Sequence, residues 1–234
     1  MRDHDVRLGV WAMLGEPRTA VALEGAGFDW VLLDAQHGHF DDRAVRATLA
    51  LRRDPRVPML VRPGANRADL IGRALDAGAD GVIVPLVESA AEAEAAVAAA
   101  HPPPRGIRSF GPLVGHEPVD RPFVGIMVET AAGLEDVEAI ARTPDLDLVF
   151  VGPFDLSASL GTTVDGLLED DGPDGPLPRI LAACRAAGVL AGAFGATEPR
   201  ARRFLQLGFT HVVAALDVSV LAAGGAIARR VREG

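Results

Sequence analysis

Short, β-rich apolar runs alternate along this chain with Ala-rich stretches whose apolar positions recur at helical spacing. A run that is apolar at every position suits a strand buried on both faces, and a 3.6-residue rhythm suits a helix with one face against a sheet. Strands are predicted over Leu8–Met13, Trp30–Leu33, Pro58–Val61, Gly81–Pro85, Val124–Val128, Leu148–Val151, Val189–Ala193 and His211–Ala215. Helices are predicted to start near Thr19, Asp42, Ala68, Ala90, Gly133, Leu177, Glu198 and Ser219. The segments A-G-F-D-W-V-L-L-D, A-G-A-D-G-V-I-V-P and L-G-F-T-H-V-V-A repeat one join, a glycine just past a helix end followed by the next strand. Eight such units in 234 residues predict an α/β protein, a single (β/α)8 TIM barrel over residues 1–234, rather than an open doubly wound sheet.

Two segments interrupt the rhythm. Residues 101–122, H-P-P-P-R-G-I-R-S-F-G-P-L-V-G-H-E-P onward, precede the fifth strand and read as a rim loop able to cover a site. Residues 162–178, with E-D-D-G-P-D-G-P, read as a solvated excursion or a lid.

Composition then removes whole classes of function. A net charge of −9 with dispersed Arg argues against a nucleic-acid face, which needs a basic patch to displace counterions. No Gly-rich dinucleotide or P-loop fingerprint follows any strand. Without a long apolar segment or the apolar core of a signal peptide, the chain reads as cytoplasmic, with no membrane span. The single cysteine, Cys184, allows no disulfide within the chain and reads as a small buried apolar residue. All 23 basic residues are Arg, and with no Lys a Schiff base is impossible. Any carbonyl chemistry must therefore stabilise its carbanion differently, most simply with a metal as Lewis acid and no organic cofactor.

The candidate chemistry gathers at strand ends. In a parallel barrel the functional rim lies at the carboxyl ends of the strands, where a carboxylate following an apolar run costs stability unless something binds it. Glu129 in F-V-G-I-M-V-E-T and Asp155 in L-V-F-V-G-P-F-D-L-S are placed there, and together they suit a hard divalent cation, Mg²⁺ or Mn²⁺ first, with Co²⁺ or Zn²⁺ admissible. Asp34 and His37 in L-L-D-A-Q-H-G-H-F and Arg62 in V-R-P-G meet the pair on the same rim, where His37 can move a proton and Arg62 can stabilise charge. Each has a plain structural alternative: Asp34 as a helix cap, Arg62 in an ion pair, Glu129 as a surface residue. His4, His101, His116 and His211 read as surface or packing histidines, with His116 able to reach the site from its loop.

Over nearly its whole length, in L-G-V-W, F-D-W-V-L-L-D-A-Q-H, V-R-P, A-L-D-A-G-A-D-G-V-I-V-P-L-V, G-I-R, V-E-T and G-P-F-D-L-S-A-S-L-G, the chain resembles the HpcH/HpaI aldolases. These are metal-dependent class II pyruvate aldolases that cleave or form 4-hydroxy-2-oxo acids. The resemblance implies that Glu129 and Asp155 hold the metal, His37 is the base, Asp34 orients it and Arg62 stabilises a pyruvate-type enolate. It further implies that Asp76, in A-L-D-A-G, is a site residue often supplied across a subunit boundary. Gly152, Pro153 and Phe154, with Gln36 and Trp11, would receive substrate, a 2-oxo acid and an aldehyde. The resemblance also implies a homo-oligomer, trimer or hexamer, with its C-terminal helix exchanged between subunits.

One departure bears on activity. Gln36 stands where the family commonly has Glu before the catalytic His, so the imidazole loses a neighbouring charge. Two other readings stay open on the sequence: a lyase acting on acyl-CoA thioesters, as citryl and malyl lyases do, and a barrel that binds a 2-oxo acid without cleaving it.

Overall fold

The computed structural model describes residues 1–109, 111 and 121–233. The chain opens with β1 (Arg7–Ala12), α1 (Pro17–Leu23), β2 (Trp30–Asp34), α2 (Asp42–Leu51), β3 (Met59–Arg62) and α3 (Ala68–Asp76). It continues through β4 (Gly81–Val84), α4 (Ala90–Ala100), β5 (Phe123–Val128), α5 (Ala131–Glu135), α6 (Val137–Ala141) and β6 (Leu148–Val151). The last third holds α7 (Pro153–Ser159), α8 (Val164–Glu169), α9 (Pro176–Ala187), β7 (Leu190–Phe194), α10 (Glu198–Leu207), β8 (His211–Leu216) and α11 (Asp217–Glu233).

Each strand pairs in parallel with its successor, and β8 returns to β1, so the eight close into a (β/α)8 barrel. All eight predicted strands are present, with ends displaced by a residue or so. Glycines at the predicted joins, Gly27, Gly78 and Gly208, have φ of 92°, 98° and 112°, a region that a Cβ disfavours.

Burial divides between two cores. Alternate strand residues fill the barrel interior, among them Trp11, Trp30, Leu60, Ile83, Phe150 and Val213. Their neighbours, such as Val31, Val61, Val82, Val124 and Val149, face outward under the helices. Strands buried on both faces explain why the apolar runs do not alternate with polar residues. The interior is a packed plug, so chemistry is confined to its mouth.

The structure corrects several expectations. The helix expected from Gly133 is two short helices, α5 and α6, meeting at Asp136. Residues 162–178 are not merely a solvated excursion: α8 lies within them and buries Val164, Leu167 and Leu168. The charges of E-D-D lie at the exposed C-terminal end of that helix, which hid its short apolar face. The described ends of the 101–122 loop lie at the barrel floor, since a segment running from a helix into the next strand must enter at that strand's N-terminal end. There Arg121 pairs with Asp147 just before β6, and Arg2 reaches the same carboxylate at 2.8 Å. His116 lies outside the described residues.

The floor also holds two buried histidines. His211 stacks on Phe123 and places its ring nitrogens 3.0 Å from Thr210 Oγ1 and 2.9 Å from the Met1 carbonyl. His101 is buried with neither ring nitrogen hydrogen-bonded among the described residues. Cys184 is buried in α9, and burial pushes its thiol up to about 12, which makes it unreactive. No helix is long and apolar enough to cross a membrane among the described residues.

Candidate active site

Register builds the first part of the site. Asp34 and Arg62 are the last residues of β2 and β3 and stand opposite each other in the parallel ladder. Arg62 donates to Asp34 through Nε at 2.9 Å and Nη2 at 2.5 Å, a fork on a buried carboxylate. From β1, Trp11 Nε1 donates to Asp34 Oδ2 at 3.1 Å, and the Arg62 guanidinium lies 4.9 Å over the Trp11 ring. Burial opposes ionisation of Asp34, but the hydrogen bonds and charge of Arg62, helped by Trp11 and the Gln36 N–H, outweigh it and hold its pKa below the usual value.

Asp34 also accepts from the backbone N–H of Gln36 at 2.9 Å and of His37 at 3.2 Å. This Asx-type turn lifts the chain off the end of β2 and leaves the His37 side chain exposed on the rim. Asp34 thus positions His37 through its main chain, and among the described residues the imidazole has no hydrogen-bond partner.

The second part comes from β5 and β6. Glu129 directly follows β5 and is 2% exposed. Its Oε1 accepts from the Leu86 N–H at 2.7 Å, presented by a residue held at φ 55° just beyond β4. Burial raises the Glu129 pKa, the Leu86 hydrogen bond opposes this, and the charge of Asp155 adds to the rise. Asp155 was expected at a strand end; it lies instead in the first turn of α7, after Gly152 ends the extended run and Pro153 starts the helix. A Cβ on Gly152 would sit 2.5 Å from Glu129 Oε2, so only glycine lets α7 begin this close to the carboxylate.

These groups line one cavity of about 300 Å³ at the barrel mouth. Its walls include Trp11, His37, Arg62, Glu129, Gly152, Pro153, Phe154 and Asp155. Asp34 supports it from behind. Gln36 does not line it, and its Oε1 is buried without a partner among the described residues. Asp76 is elsewhere: it ends α3 on the side away from the mouth and pairs with Arg108 at 3.1 Å. Met13, Met127, Phe194, Ala196 and Leu216 complete the lining and were not singled out from the sequence. Phe194 and Leu216 end β7 and β8, so the strand-end rule applied to apolar residues would have found them.

The donor set fits a hard cation. Glu129 and Asp155 offer carboxylate oxygens to one cavity, Glu129 is desolvated enough to hold a proton more tightly than usual, and Gly152 leaves room beside Oε2. Among the described residues no group of three or more His, Cys, Asp or Glu is placed to hold a metal, so water and substrate would supply the remaining ligands.

A closed barrel whose mouth gathers two carboxylates, an imidazole and a paired guanidinium defines an enzyme of the (β/α)8 class. The family description HpcH/HpaI aldolase/citrate lyase matches residues 7–223, and the chain belongs to that family of lyases. It is 35% identical to a hydroxypyruvate/pyruvate aldolase from Pseudomonas aeruginosa, over 94% of this chain and 86% of that one. It is 34% identical to a 4-hydroxy-2-oxo-heptane-1,7-dioate aldolase from Salmonella paratyphi C, over 93% and 87%. Among solved structures, an HpcH/HpaI aldolase/citrate lyase family protein from Burkholderia cenocepacia J2315 superposes with a TM-score of 0.87 at 32% identity, over 100% of this chain and 97% of that one.

Proposed function

We propose that this chain is a divalent-cation-dependent aldolase that cleaves or forms 4-hydroxy-2-oxo acids, yielding or consuming pyruvate or a close 2-oxo acid and an aldehyde. The observation that carries the reading is the meeting of Glu129 and Asp155 with His37 and Arg62 in one cavity of a chain that has no Lys. The names of its relatives supply the substrate class.

In the cleavage direction the C3–C4 bond breaks, its electron pair stays with C3, and the C4 hydroxyl proton must leave as C4 becomes the aldehyde carbon. His37, exposed on the rim with its ring unpartnered among the described residues, takes that proton. Arg62 faces the charge that develops on the 2-oxygen, with Nη1 left over from its fork on Asp34. A proton delivered to C3 completes the 2-oxo acid. Trp11, Met13 and Phe194 give the cavity apolar surface beside these groups. Glu129 and Asp155 would hold the cation, Mg²⁺ or Mn²⁺, which when bound supplies the Lewis acidity that a Lys would supply in a Schiff-base aldolase.

The test is exchange of the pyruvate methyl protons in D₂O, which needs no aldehyde. Exchange that appears with Mn²⁺ and disappears with EDTA is the expected result. A protein that binds Mn²⁺ and pyruvate without exchange would instead be a binding barrel.

We further propose that the protein is a homo-oligomer, a trimer or hexamer. Two features support this. α11 leaves Leu221, Ile227 and Val231 exposed, and Asp76 is too remote to serve its own cavity. Light scattering on the purified chain tests it; a monomer overturns it.

A further inference from the structure

One wall of the cavity is a row of aromatic rings with a guanidinium at each end. From β1 the Trp11 ring meets the edge of Phe194 at 5.0 Å, and Phe194 meets Phe154 at 6.0 Å. The Arg62 guanidinium covers Trp11 at 4.9 Å, and at the outer end Arg200 of α10 lies 5.6 Å over the Phe154 ring. Phe154 is the outermost ring and is 48% exposed, yet it is held on two sides. Arg200 is in turn fixed by Asp165 of α8, which accepts from its Nε at 3.2 Å and its Nη2 at 3.1 Å.

Both cations of this row already have a carboxylate partner, Arg62 in Asp34 and Arg200 in Asp165. Arg200 lies behind Phe154 and does not line the cavity, and among the described residues Arg62 is the one cationic side chain that does. Glu129 and Asp155, which would hold the divalent cation, line the same cavity. An aldehyde with its own carboxylate would therefore bring a charge against aromatic faces, where, among the described residues, the one cationic side chain of the lining, Arg62, is already paired with Asp34. An uncharged substituent would bury apolar surface on Phe154, Phe194 and Leu216.

We propose that the Phe154–Phe194 wall selects an uncharged aldehyde and that Arg200, held by Asp165, is the positioning residue that keeps Phe154 in that wall. The inference rests on the aldolase reading and names its second substrate class. The polar side of the cavity handles the 2-oxo acid, while the wall meets only the group carried by the aldehyde carbon. Arg200 thus acts on the second substrate through a ring and touches neither substrate.

The experiment compares aldol addition of pyruvate to butanal and to succinic semialdehyde, matched in carbon number and differing in the distal carboxylate, with the full-length protein and Mn²⁺. We expect kcat/KM for butanal to exceed that for succinic semialdehyde by about tenfold or more, the scale on which a pocket separates substrates by one group. Phe154→Ala should narrow that ratio. Arg200→Gln should raise KM for butanal several-fold, leave kcat within about twofold and leave pyruvate methyl exchange unchanged, and Arg200→Lys, which keeps the cation over the ring, should recover part of the affinity. Equal or better use of succinic semialdehyde overturns the inference while leaving the aldolase reading intact, provided methyl exchange occurs. A loss of methyl exchange in Arg200→Gln equal to its loss with butanal also overturns it, because the arginine would then act on the whole fold. Absence of exchange in the unmodified protein removes both readings.

Discussion

Arg62 and Asp34 end adjacent strands at the same register and close a forked ion pair, Nη2 to Oδ2 at 2.5 Å and Nε to Oδ1 at 2.9 Å, beneath the mouth of the barrel. Neither residue is free. The pair fixes the guanidinium against Trp11, and the same carboxylate shapes the turn that carries His37, so one buried charge aligns three groups of the site.

Removing the charge of Asp34 while keeping its shape isolates that role. Asp34→Asn leaves Arg62 buried and unpaired, a change that typically costs about 3–5 kcal/mol. Urea denaturation is expected to show a loss of this size, with activity reduced even where the variant remains folded. A loss below about 1 kcal/mol would mean that Arg62 finds another partner.

Glu129 presents the opposite case. Burial and the charge of Asp155 raise its pKa, so its ionised form opposes folding unless a cation is bound. Glu129→Gln is expected to raise the unfolding free energy of the metal-free protein at neutral pH by an amount on the order of 1 kcal/mol, read as a higher melting temperature. It is also expected to abolish the thermal shift produced by Mn²⁺ and the metal-dependent activity. Asp155→Ala should lose the same activity with the fold intact. Full activity in either variant would overturn the ligand assignment.

Gly152 sets the approach of α7 to that carboxylate. In Gly152→Ala the new Cβ would stand 2.5 Å from Glu129 Oε2 and must displace it. Affinity for Mn²⁺, measured by direct titration, should fall about 10- to 100-fold, as for other perturbed ligand supports. The cost in stability should stay within the roughly 1–3 kcal/mol of an overpacked methyl group. Unchanged affinity would show that Oε2 is not a ligand.

The floor of the barrel predicts a pH dependence separate from catalysis. Burial, only partly offset by the Met1 carbonyl, lowers the His211 pKa from 6.5 to about 4, and burial lowers that of His101 in the same direction. Between those values the unfolded chain binds the proton that folded His211 refuses, so stability is complete above pH 6.5 and is lost as the pH falls toward 4. The slope contributed by His211 should approach about 1.4 kcal/mol per pH unit. His211→Phe, which keeps a ring against Phe123, should flatten the melting temperature over that window. An unchanged slope would assign the effect to other groups.

The barrel was legible because a parallel sheet buried on both faces leaves uninterrupted apolar strands, and because glycines that must adopt positive φ mark the joins between units. Strand β7 shows the limit: the sequence places its end at Ala193, whereas pairing with β8 carries it to Phe194 and turns an apolar residue into a wall of the cavity. Helix α8 was obscured for a related reason, since only contact with the rest of the barrel reveals that Val164, Leu167 and Leu168 share a buried face.

For the site, residue type and order along the chain determined which groups could carry the chemistry, because carboxylates, an imidazole and a guanidinium that each follow an apolar strand gather on one rim of a parallel barrel, and the absence of Lys excludes a Schiff base. Tertiary structure alone decided who partners whom. Register between β2 and β3 commits Arg62 to Asp34, the return of α3 to the floor takes Asp76 out of its own cavity, and the turn after Asp34 holds His37 by its main chain while Gln36 stays out of the cavity lining. These outcomes depend on closing the barrel, which brings together residues from β1 to β8 whose spacing along the sequence carries no record of their distance in space.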